Sequence, residues 1–120
     1  MAMLDNDHSV KIAELDGLGG NYGRGYIVAS GGIAVLNVLQ INAPAGSKNH
    51  GMLPVGFEPK QGVAGVSYGG AVAYGYAYSA GDATTQGQIS VSTAGEWSTW
   101  VNKATNYLVG QVVYLLADPD

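Results

Sequence analysis

The chain is expected to fold as an all-β protein, an antiparallel β-sandwich of jelly-roll type with about eight strands. Three observations predict it. Residues alternate with a period of two in several short runs, most strictly where Val72, Tyr74, Tyr76 and Tyr78 interleave with Ala71, Ala73, Gly75 and Ala77. The 19 glycines follow no collagen period and punctuate these runs as turns. Charged residues are only 12 % of the 120-residue chain, about half the ordinary share, although 47 % is hydrophobic. A chain this long forms one domain that buries about two-thirds of its unfolded surface.

Residues 1–16 read as an acidic lead-in or attachment segment, and 17–120 as the sandwich. Within the lead-in, residues 10–15 are too short a run to separate a strand from a turn of helix. Glycines mark a turn at 16–21. Residues 22–30 then read as a strand, Ser30-Gly31-Gly32 as a hairpin turn, and 33–41 as its partner. That partner is apolar on both sides except at Asn37 and Gln40, which predicts a central strand covered on both faces. Residues 43–59 read as a long loop. Its Pro54 and Pro59 cannot donate to a ladder, so its second half should be a rigid, extended crossover.

An extended pattern resumes at 63–67 and again at 71–78. Residues 79–87 read as a polar turn, and 88–92 as a strand with Ile89 and Val91 inward. Residues 93–106 hold both tryptophans. The spacing of Trp97, Trp100, Val101 and Ala104 also fits one face of a short helical turn. Residues 107–117 close the sheet.

Several function classes find little support. The five cations are scattered, so no basic patch tracks a phosphate backbone, and no nucleic-acid partner is expected. No apolar run approaches the length that spans a bilayer, and no membrane insertion is expected. The first residues carry several acids and no apolar signal core. The absence of cysteine excludes disulfides and thiolate metal sites and fits a reducing cytoplasm.

Catalysis is not expected either. His8 and His50 are the only histidines, no Gly-x-Ser-x-Gly elbow is present, and Glu58, Asp82 and Glu96 are the only carboxylates away from the ends. No catalytic residue, metal site or cofactor is assigned.

The aromatic residues carry more information. Eight tyrosines and two tryptophans stand against one phenylalanine, which means ring surface with polar handles. Tyr74, Tyr76 and Tyr78 form a ladder that either rests on the core or lines a groove. Trp97 and Trp100 either anchor a loop or stack on sugar rings. Asp82, beside Thr84, Thr85 and Gln86, could bond saccharide hydroxyls. His50, in the long loop, completes the ligand-binding candidates.

Four segments carry a resemblance. They are the apolar run of residues 32–41, the loop Leu53-Pro54-Val55-Gly56-Phe57-Glu58-Pro59, the strand Gly87-Gln88-Ile89-Ser90-Val91-Ser92, and the closing Val109-Gly110-Gln111-Val112-Val113-Tyr114. Over about residues 30–117 their order resembles the C-terminal head domain of phage tail-fibre and receptor-binding proteins of the siphophage type. The resemblance implies a non-enzymatic homotrimer that binds a saccharide on the bacterial host surface and contacts other tail proteins. It would be made in the host cytoplasm and sit in the virion as a tail or surface appendage. The trimer would bury the Ala/Gly-rich face or outward apolar faces. The alternative is a structural decoration or spike module with no glycan site.

Overall fold

The computed structural model describes residues 10–15, 23–60 and 71–117. They form eight strands: β1 Lys11–Glu14, β2 Arg24–Ser30, β3 Ile33–Ala43, β4 Gly46–Met52, β5 Ala71–Ser79, β6 Asp82–Ser92, β7 Glu96–Val101 and β8 Thr105–Leu115. All pairings are antiparallel, in the order β1-β2-β3-β8-β5-β6-β7-β4. The sheet curls into a half-barrel with a sandwich-like interior. Its two halves, β1-β2-β3-β8 and β5-β6-β7-β4, are joined where β8 pairs with only Ala77–Ser79 of β5. The expected turn at 16–21 and extended run at 63–67 lie outside the described residues.

Period-two alternation decides which residues face the interior. Ile27 and Ala29 of β2, Leu108, Val112 and Tyr114 of β8, Ile89 and Val91 of β6, and Trp97 and Val101 of β7 are all buried. Strand β3 needs a phase change to bury both its ends. Ala34, Leu36 and Val38 point inward, and so do Ile41 and Ala43. Between them the ladder slips register, and Gln40 takes a left-handed backbone with φ 56. One extra residue in a bulge thus keeps an 11-residue strand facing the core throughout.

A row rich in glycine and alanine lets the sheet bend. Reading across the registers, Gly25, Val38, Gly110, Ala77, Gly87, Val101 and Gly46 stand side by side. A Cβ at Gly87 would lie 2.1 Å from the carbonyl oxygen of Trp100, and one at Gly75 1.8 Å from that of Gln111. Side chains there would force neighbouring strands apart, which is the usual meaning of glycine at a tight bend in a sheet. The Ala/Gly side of β5 therefore faces the chain's own interior. It is not the face that a symmetry mate could cover.

Four further expectations are corrected. The long loop of residues 43–59 contains β4, whose polar sequence GSKNHGM shows no alternation to announce it. The polar turn after β5 is only Ala80-Gly81, and β6 already begins at Asp82. The tryptophan segment is β7 rather than a helical turn, held between β6 and β4 by ladders on both sides. Strand β3 is central in its half, yet its outer residues Ile33 and Leu39 are 47 % and 41 % exposed, so its second face is not covered by the described residues.

The proline-flanked crossover is tied down. Tyr114 donates its hydroxyl to the carbonyl of Phe57 at 2.9 Å, the Lys60 and Ala117 backbone N–H groups donate to the carbonyls of Leu115 and Glu58, and Phe57 is buried. Burial, with the charge of Glu58 adding to it, pushes the Tyr114 phenol well above its ordinary pKa and keeps it a donor.

Candidate functional site

Alternation that buries one side of each strand exposes the other. On the outer side of β5, the rings of Tyr74, Tyr76 and Tyr78 are 46 %, 63 % and 44 % exposed, and Trp100 of β7 is 44 % exposed. Register aligns them. One row reads Tyr76, Gln88, Trp100, Ser47 across β5, β6, β7 and β4, and the next reads Tyr74, Ser90, Ser98, Asn49. Tyr78 stands opposite Gln86, and its ring stacks on Tyr76 with centroids 6.1 Å apart. The result is a patch of rings, amides and hydroxyls.

Charge is confined to the margins of this patch. At one end Asn49 donates to the Glu96 carboxylate at 3.0 Å. At the other, Lys103 pairs with Asp82 at 3.8 Å. The Asp82 carboxyl is held below its usual range, first by the Thr84 hydroxyl, then by the Thr84 amide, with Lys103 a smaller influence. Both carboxylates thus already have donors. The middle of the patch presents no ion.

The remaining candidates lie elsewhere. Trp97 faces the opposite side of β7 from Trp100 and is 2 % exposed, so the two rings cannot form one platform. His50 of β4 stacks on Trp97, with centroids 4.2 Å apart and planes 13° apart, and its Nε2 lies 2.8 Å from the Thr99 hydroxyl. Burial first, and Lys48 second, lower the His50 pKa to about 4, so the ring is neutral at physiological pH. Asp82 sits at the β5–β6 hairpin, at the edge of the aromatic patch.

His50 and Trp97 instead floor a cleft of about 250 Å³ between the two ends of the sheet, walled by Glu14 at the end of β1 with Leu15 after it and by Met52 at the end of β4 with Pro54 beyond. Among the described residues no group of three or more His, Asp or Glu side chains could hold a metal ion.

Sequence reasoning picked out Tyr74, Tyr76, Tyr78 and Trp100, which the fold brings to one face. It passed over Gln88, Ser47 and Asn49, which share that face. The alternation of β6 could have placed Gln88 outward, but its neighbours follow only from strand pairing. Comparison with known protein families, with curated proteins and with solved structures finds no match to this chain.

Proposed function

We propose that the protein is a non-enzymatic receptor-binding head domain whose β5-β6-β7-β4 face recognises a neutral saccharide on a bacterial host surface. The observation that carries the reading is the exposed row Tyr76–Gln88–Trp100, two rings flanking an amide with no ion between them. Rings offer flat apolar surface to the C–H faces of sugars, and amides and hydroxyls satisfy the sugar's own hydroxyls. Tyr76 and Trp100 stand two strands apart, which is about 9.6 Å. In an extended β-1,4-linked glycan every second ring turns the same face to one side, so such a chain laid across the strands would meet both rings.

The sequence resemblance to phage tail-fibre heads supports placing the domain in a trimeric tail appendage, assembled in the host cytoplasm with other tail proteins. A shallow open face binds each saccharide weakly, and several copies on one particle raise the effective affinity. The second reading, a structural decoration or spike module, draws on the aliphatic surface of the other half of the sheet. Titration followed by heteronuclear NMR, using β-1,4-linked glucose and N-acetylglucosamine oligomers of one to six units, tests the proposal. Shifts centred on β5–β7 that grow with chain length up to three units support it. No perturbation with any saccharide on a broad glycan array would leave the structural module standing.

A further inference from the structure

We infer that the outer face of β1-β2-β3-β8 is the surface through which copies of this chain associate. Antiparallel sheets with one face in water ordinarily turn polar residues outward. Here the register places Ile12, Val28, Val35 and Val113 in one row across four strands, with Ile33 and Leu115 paired beside them. Ile12 is 66 % exposed, Val113 53 %, Leu115 48 % and Ile33 47 %, while Val28 and Val35 are half-buried between them. Scattered apolar residues would need no explanation, but a contiguous sheet face of six does.

Area and charge both point to a second copy as the occupant. The six side chains offer on the order of 500 Å² of apolar surface, against about 800 Å² per partner in a standard interface. Tyr26, Ser30, Asn37 and Gln111, on the same outer face, bring the total to that size without adding an ion. The apolar share is then about 60 %, close to what homodimer interfaces show. The charged residues at outward positions of these strands are Glu14 and Arg24, 3.6 Å apart at one margin, so they offset each other. An uncharged, largely β-branched face packs against the same face on neighbouring copies gathered about one axis, much as sheets pack in a sandwich. The aromatic face then stays outward on every copy.

The test uses the whole chain. Light scattering after size exclusion, over a concentration series, should give a multiple of the 12.3 kDa monomer mass. Val113→Lys should move the association midpoint at least tenfold toward monomer, while Gln88→Lys on the opposite face should not. Circular dichroism checks that both variants are folded. Because the chain has no cysteine, Val35→Cys and Gln88→Cys each provide one unique thiol for a short bifunctional maleimide. Cross-linking between copies through Val35→Cys but not Gln88→Cys supports the inference even if Val113→Lys does not fold. A wild-type monomer at every concentration overturns it, and so does cross-linking that favours the Gln88 position.

Discussion

The outer surface of β5-β6-β7-β4 reads Tyr76, Gln88, Trp100, Ser47 in one cross-strand row. In β1-β2-β3-β8 the comparable row reads Ile12, Val28, Val35, Val113. The inner faces of both halves carry the same kind of residue: Ile27, Leu36 and Val112 in one, Ile89, Val91 and Val101 in the other. Interior positions obey packing, which favours apolar residues of fitting volume with a few small hydroxyls such as Thr85 and Thr99 among them. Outer positions are free of that demand, so their divergence reflects what each half meets. Rings beside amides suit a hydroxyl-bearing ligand, and bare aliphatics suit another apolar sheet.

The largest expected effect separates inside from outside on the aromatic half. Trp97→Ala empties a buried ring site and should cost about 3–5 kcal/mol in urea denaturation. Trp100→Ala, three residues along the same strand, should cost under about 1 kcal/mol yet weaken saccharide binding roughly tenfold. Equal stability losses in the two variants would erase the distinction between the faces of β7.

The row rich in glycine and alanine that joins the halves comes next. Gly87→Ala places a methyl against the Trp100 carbonyl, 2.1 Å away, and should lower stability by about 3 kcal/mol. A thermal melt that leaves Gly87→Ala at the wild-type Tm would show that the bend does not depend on that glycine.

Acid should act at the cleft between the two ends of the sheet. The His50 pKa is 6.5 when unfolded and about 4 when folded, so the unfolded chain takes up a proton in that window and the folded one does not. The contribution of neutral His50 is intact above pH 6.5 and is lost as pH falls toward 4. Allowing for the ring's partial exposure, the loss is about 1 kcal/mol. Denaturation midpoints of wild type and His50→Gln, measured from pH 7 to 4, should converge as the pH drops. Parallel curves would assign the acid sensitivity to other groups.

An effect of similar size concerns Thr85, buried on β6, whose hydroxyl makes no close hydrogen bond among the described residues and acts only weakly on the Asp82 carboxylate. Thr85→Val keeps the shape and removes the unsatisfied group, so it should stabilise by about 1 kcal/mol. A loss of stability in that variant would reveal a partner for the hydroxyl.

Much of this was legible in the chain itself. Alternation around Tyr74 and Ile89 announced strands, and Gly31-Gly32 announced the β2–β3 hairpin, because both signals are local. Strand β4 left no trace, since an edge strand of Ser, Lys, Asn and His buries little and so need not alternate. The helical spacing of Trp97 and Trp100 was overridden by ladders from β6 and β4. Which side each tryptophan faces followed once β7 was a strand. The alignment of Trp100 with Tyr76, however, depends on pairing between residues distant in the chain, which no local pattern encodes.

Strand β3 joins β8 through pairs such as Ile33 with Leu115 and Ala43 with Thr105, so the middle of the sheet ties together points some seventy positions apart. During synthesis the early hairpin must wait on the ribosome, its greasy inner side unprotected, until nearly all of the remainder has emerged. Folding should accordingly be slow for so small a molecule. A polypeptide cut short before Thr105 would be left as unconnected ribbons, prey to chaperones and proteases rather than a smaller version of the same body.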